Sequence, residues 1–203
     1  MRARMAIASA GVACDLREVV LRDKPAELLA ASPKGTVPII VEADGNVIHE
    51  SLDIADWALA QNDPEHWLVP PDGNMAGMTA LIQRADGPFK SALDRYKYAN
   101  RYDGVDTHEQ RDLGLAFLSD INTRLADQPN LFGTRPCLAD IAIFPFVRQF
   151  ANTDRAWFDQ LDLPHLQSWL AMHLESARFT SVMAKYPQWK TGDAAQTFPP
   201  DAA

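Results

Sequence analysis

The chain has 203 residues, of which 47% are hydrophobic and 23% charged, a mixture that belongs to a folded globular protein and excludes a disordered one. Nineteen Lys and Arg against 27 Asp and Glu leave a net charge of −8, so no basic footprint for nucleic acid exists, and no apolar run approaches the roughly 18 residues of a membrane span. Only two cysteines occur, Cys14 and Cys137; they give neither a disulfide framework nor a zinc spacing and fit a reducing, cytoplasmic compartment.

In chain order, Met1-Arg2-Ala3-Arg4 followed by the apolar stretch Met5 to Val12 imitates an export signal, and Gly11-Val12-Ala13-Cys14 imitates a lipoprotein cleavage site. The stretch is short for such a signal, at the bottom of the usual ~7–15 residues. Ser9 and several alanines dilute it. An amphipathic helix from Ala3 to Ala10, stopped by Gly11, is the expected element, because Gly enters the left-handed region without strain. Cys14 to Leu21 alternates and is rich in β-branched residues, which predicts a strand. Lys24 to Ala31 reads as a short helix, with Asp23 as N-cap and Pro25 near the first turn. After the loop Ser32-Pro33-Lys34-Gly35, Val37 to Glu42 reads as an apolar strand carrying Pro38. Asp44-Gly45 is a hairpin turn signal, and a short strand, Val47 to His49, follows. Glu50-Ser51 then opens a helix, Leu52 to Ala60, with apolar residues 54, 55, 58 and 59 on one face.

A helix that leads to a parallel strand normally has a strand before it, because the buried unit is βαβ. The chain begins inside its first helix, so the expectation is an α/β domain whose first strand is missing.

Asn62 to Asn74 holds three prolines and a glycine and reads as a linker. Everything beyond it is patterned as helix. Met78, Leu81, Ile82, Ala85, Phe89, Ala92, Leu93 and Tyr96 form one stripe of a long helix, with a kink expected at Gly87-Pro88 because Pro lacks an N–H and its ring clashes with the carbonyl of Arg84. Thr107-His108-Glu109-Gln110 has the form of a capping box and opens a helix carrying Leu113, Phe117, Ile121 and Leu125 inward. Further helices are expected at Leu138 to Ala151, from Pro164, and over Ser176 to Lys185. An irregular tail follows from Pro187. The expected division is 1–62 as an α/β domain, 63–74 as linker and 75–203 as an all-α helical bundle. The five histidines show no ligand spacing, so no metal is expected.

Chemistry enters at Pro38. Proline at a strand start can form a cis bond that turns the preceding residue's backbone outward, where an extended peptide can pair with it. Glu50-Ser51 follows at a helix start, where first-turn N–H groups and a hydroxyl suit a carboxylate. A small peptide could then pair with Val37 at one end and place a carboxylate at Ser51.

In these features the chain resembles the cytosolic glutathione S-transferase superfamily. The matching pieces are Thr36-Val37-Pro38-Ile39-Ile40, Glu50-Ser51-Leu52-Asp53-Ile54 and Leu138-Ala139-Asp140-Ile141-Ala142, and Arg22-Asp23-Lys24-Pro25 is similar to a stretch of the omega-type and two-domain glutaredoxin-like branches. The resemblance implies a thioredoxin-like N-terminal domain, first strand missing, and an all-α C-terminal domain. It implies glutathione as cosubstrate, with Val37 and Pro38 on the cysteinyl backbone, Glu50 and Ser51 on the γ-glutamyl end, and Lys24 near the glycine carboxylate. The residues alone leave other roles open: Val37 as a buried strand residue, Ser51 as an N-cap, Lys24 as a solvated charge.

Two departures stand out. The family's thiol-activating residue, often Cys or Ser, would align before Met1, and neither Ser9 nor Cys14 replaces it, so no catalytic residue is assigned and this form is expected to be inactive. The helical domain's usual Ser or Thr cap is Cys137 here, three residues before Asp140; Asp140 is expected to be structural. The resemblance places a second-substrate cleft between the domains, with Tyr96, Tyr98 and Tyr102 as candidates, although a packed helix end explains them equally. Trp189 either covers that cleft or merely packs. The activity implied is conjugation of glutathione to a small electrophile or reduction of a disulfide, by a homodimer; the alternative is a non-catalytic relative that binds a protein partner.

Overall fold

In the computed structural model, which describes residues 1–200, Arg2–Ala10 forms α1. Gly11 ends it in the left-handed region at φ 67°. Ala3, Met5, Ala6, Ile7 and Ala10 are buried, and they pack on α3, Ser51–Gln61, through its buried Ile54, Ala55, Ala58 and Leu59. Small side chains on both helices allow this close approach. Asn62 Nδ2 ties the end of α3 to the Ala10 carbonyl at 3.0 Å.

The strands are shorter than the pattern predicts. β1 is Cys14–Leu16 rather than Cys14 to Leu21, because a turn in which Asp23 N donates to the Val20 carbonyl at 2.8 Å diverts the chain. Alternation records which side chains face inward; the length of a ladder depends on its partner. α2 is Ala26–Ala31, with Pro25 rather than Asp23 at the N-cap, since Asp23 is engaged elsewhere. β2 (Ile40–Val41) and β3 (Val47–Ile48) form an antiparallel hairpin with Ile40 opposite Ile48. Its turn is held by Asp44 Oδ1, which accepts from Asn46 N at 2.9 Å, with Gly45 at φ 90°.

The kinked helix forms as expected: α4 (Met75–Arg84), a π-helical turn at Ala85–Phe89 containing Pro88, and α5 (Lys90–Lys97). The wider turn accommodates the ring where a hydrogen bond is missing. α6 is Thr107–Arg124, but its cap is Asp106, whose carboxylate accepts from His108 N and Glu109 N; the Thr107 box is therefore corrected by one position, a carboxylate being available one residue earlier. α7 (Leu138–Ala151) is buried almost throughout. A four-residue helix, α8 (Arg155–Phe158), was not legible from periodicity. α9 (Pro164–Glu175) starts with its His165 and Leu166 N–H groups on Asn122 Oδ1, each at 3.0 Å. α10 is Ala177–Val182.

The tail departs most from expectation. Gln196–Phe198 forms a fourth strand, β4, antiparallel to β1 with Cys14 opposite Phe198. The described chain divides into one unit of Met1–Glu65 with residues 177–200 and a second of His66–Ser176. The last segment, expected in the helical domain, thus packs with the α/β unit. The reason is apolar: Phe198 and Trp189 are 2% and 9% exposed.

Candidate functional site

The hairpin organises the candidate residues. The hairpin ladder ends at Ile40 opposite Ile48; Val37-Pro38 lie on the segment that enters β2 and Glu50-Ser51 on the segment that leaves β3 for α3, so both pairs adjoin the open end of one hairpin. The Val37–Pro38 peptide is cis. Val37 is 44% exposed, and among the described residues its backbone N–H and C=O have no partner within the chain. A free backbone donor and acceptor at an exposed residue beside a strand start offer an edge on which a peptide backbone can pair.

Ser51 is the first residue of α3 and Glu50 its N-cap, in an extended conformation and with no capping hydrogen bond from its side chain. Among the described residues neither the Ser51 hydroxyl nor the Glu50 carboxylate is engaged. The helix start thus offers N–H groups and a hydroxyl for a carboxylate, and Glu50 offers an acceptor for an ammonium.

Lys24 reaches the same end through Gly35, two residues before Val37. A Cβ built on Gly35 would lie 3.1 Å from Lys24 Nζ and 3.0 Å from Leu29 Cδ2, and Gly35 holds φ +58°. Glycine is required there twice over, for the backbone angle and for the room. That role of Gly35 had a signal in the sequence, the Ser32-Pro33-Lys34-Gly35 turn.

The other candidates are placed as follows. Tyr96 lies against Phe150, with ring centroids 5.2 Å apart; burial, then Asp154, pushes its phenol up, with Arg111 opposing. The Tyr98 ring has the Arg101 guanidinium at 4.3 Å and the Lys97 ammonium at 5.0 Å, and Tyr102 has the Arg95 guanidinium at 5.3 Å. Each ring has its own neighbours. Trp189 packs in the first unit, where its N–H donates to the Glu18 carbonyl at 2.8 Å and Arg17 lies 4.8 Å over its ring. Ser9 Oγ donates to Glu65 Oε1 at 2.9 Å, and burial pushes the Cys14 thiol up.

Asp140 is fully buried. Its Oδ2 accepts from Cys137 N at 3.0 Å and its Oδ1 from Leu131 N and Trp169 Nε1, each at 2.9 Å. Cys137 closes the box from the other side. Burial raises the Asp140 carboxyl, opposed by these N–H donors, and burial followed by the charge of Asp140 pushes the Cys137 thiol up to about 12. This is a structural cap. Among the described residues no cluster of three or more His, Cys, Asp or Glu is arranged to hold a metal, and no helix is long and apolar enough to cross a membrane.

Comparison with known proteins adds an independent line. Residues 1–67 match the family model for the glutathione S-transferase N-terminal domain, and residues 79–171 match that for the C-terminal domain. No curated protein matches. Solved structures do. A glutathione S-transferase from Rhodospirillum rubrum F11 is 21% identical, with TM-score 0.69 over 92% of this chain and 87% of that one. Gtt2 from Saccharomyces cerevisiae is 20% identical, with TM-score 0.69 over 90% and 94%. A glutathione transferase homologue from Sulfitobacter, solved with bound glutathione, is 20% identical, with TM-score 0.67 over 89% and 90%. At these identities the likeness speaks for the fold: a thioredoxin-like unit with few strands and a helical unit.

Proposed function

The chain belongs to the cytosolic glutathione S-transferase superfamily, and from that premise we propose that its first unit binds glutathione at the open end of the β2–β3 hairpin. The observation that carries the reading is the hairpin's open end, which Val37-Pro38 and Glu50-Ser51 both adjoin, with the Val37 backbone, the Glu50 carboxylate and the Ser51 hydroxyl unengaged among the described residues. Val37 N–H and C=O pair with the cysteinyl backbone of the ligand. The Ser51 hydroxyl and the start of α3 take the γ-glutamyl carboxylate, and Glu50 takes the γ-glutamyl ammonium. Lys24 takes the glycine carboxylate. The relative with bound glutathione supports the ligand class.

The reaction class is transfer of glutathione to a small electrophile or glutathione-dependent reduction of a disulfide. In either, glutathione supplies the sulfur; Val37, Glu50, Ser51 and Lys24 bind and orient it, and orientation is a large part of such catalysis. The working assembly is a homodimer, the commonest oligomer of folded chains.

Ser51→Ala tests the site. Loss of a hydrogen bond to a charged group removes roughly 1.5–3 kcal/mol, about ten-fold or more in affinity. Calorimetric titration with reduced glutathione should register that loss. Equal affinity in the variant removes Ser51 from the site, and a parent chain with no affinity for glutathione fits the partner-binding alternative instead.

A further inference from the structure

Lys24 lies between two carboxylates in the chain, Asp23 beside it and Glu27 three residues on, yet among the described residues its ammonium forms no ion pair. Both carboxylates are engaged by the C-terminal tail. Gln188 Nε2 donates to Asp23 Oδ2 at 2.9 Å and to the Asp23 carbonyl at 3.3 Å, and Thr191 Oγ1 donates to Glu27 Oε2 at 3.0 Å. Both donors are neutral. Neither competes with Lys24 for an anion.

The span that carries these donors is anchored on both sides. Trp189 N donates to the Glu18 carbonyl at 2.8 Å, and its indole N–H donates to the Asp193 carbonyl at 2.8 Å. Lys190 N donates to Asp193 Oδ2 at 2.9 Å, which closes a loop around Thr191. Beyond it, Gln196–Phe198 pairs with β1. The tail therefore crosses the segment leading from β1 to α2 as a strap with fixed ends.

We propose that Gln188 and Thr191 are positioning residues for the glutathione site: by holding the carboxylates of Asp23 and Glu27 they keep the Lys24 ammonium available for the glycine carboxylate of the ligand. This rests on the reading of the site given above. Charge logic favours it. An acidic neighbour that paired with Lys24 would have to be displaced by the incoming carboxylate, and each displaced pair weakens binding.

The test is binding of reduced glutathione to the full chain. Gln188→Ala releases Asp23 and should raise Kd about two- to five-fold, the scale of an exposed charge pair. Asp23→Asn should strengthen binding more in the Gln188→Ala background than in the parent, because only there is the carboxylate free to pair with Lys24; the double-mutant cycle isolates that coupling. Glutathione esterified at its glycine carboxylate should bind the parent and Gln188→Ala equally. A parent that binds glutathione while Gln188→Ala leaves Kd unchanged, or an additive cycle, overturns the positioning role alone. A parent that binds no glutathione overturns the reading of the site, and the positioning role with it.

Discussion

Asp140 is 0% exposed, and its carboxylate is the hub on which the start of α7, the Leu131 backbone and the Trp169 indole converge. Removing it leaves three buried N–H groups without an acceptor. Each such group costs about 1–3 kcal/mol. Asp140→Ala is therefore expected to lose about 3 kcal/mol or more in urea unfolding. Asp140→Asn should recover only part of that, because an amide has one accepting oxygen where the carboxylate has two. Urea midpoints for the two variants against the parent check the order. The motif was visible in the sequence as Cys137 three residues before Asp140. Trp169 and Leu131 as its partners were not, since they come from other elements.

At the scale of elements, α6 meets α7 through a missing side chain. A Cβ on Gly114 would lie 2.3 Å from Phe150 Cε2, and Phe150 is itself 1% exposed, with Phe89 at 5.7 Å and Tyr96 at 5.2 Å. Gly114→Ala gains up to about 1 kcal/mol of helix propensity but overpacks a closed core, a loss of about 1–3 kcal/mol. The net expectation is a lower melting temperature. Gly87→Ala is the matched comparison: nothing lies within 4 Å of its Cβ position, so that variant should melt at or slightly above the parent. The stripe of apolar residues announced both helices, and Gly87-Pro88 announced the break between α4 and α5. Periodicity said nothing of α8, a single turn with too few residues to repeat.

At the scale of the whole molecule, the chain's end returns to its beginning. Phe198 is 2% exposed, stands opposite Cys14 in the ladder and lies near Arg4 and Tyr186, with the guanidinium 5.8 Å from its ring and the tyrosine centroid at 6.5 Å. β4 also covers the edge of β1, which would otherwise present unpaired backbone groups. Phe198→Ala is expected to lose about 3–5 kcal/mol, as for other buried phenylalanines, with the loss read from amide exchange in β1 as well as from melting. Assembly belongs to this scale too. A twofold dimer should sediment at about twice the 22.5 kDa of the chain; a monomer mass throughout the micromolar range would count against it.

Composition and periodicity by themselves determined an acidic α/β-plus-helical protein, and the resemblance carried by Val37-Pro38, Glu50-Ser51 and Leu138 to Ala142 pointed to the family and, through it, to Val37, Pro38, Glu50, Ser51 and Lys24 as candidates. Those signals are local: a period of two or 3.6, a proline at a strand start, a serine at a helix start. Only the tertiary structure decided how long each strand runs, which residue caps α2 and α6, and where the tail goes. Nothing near Gln188 or Thr191 in the sequence points to Asp23 or Glu27, which lie 165 and 164 residues away. The contact exists because burying Trp189 and Phe198 outweighs the entropy of ordering a polar tail, and the entropy of closing a loop grows only with the logarithm of its length. A hydrogen bond across such a distance leaves no period in the chain that makes it.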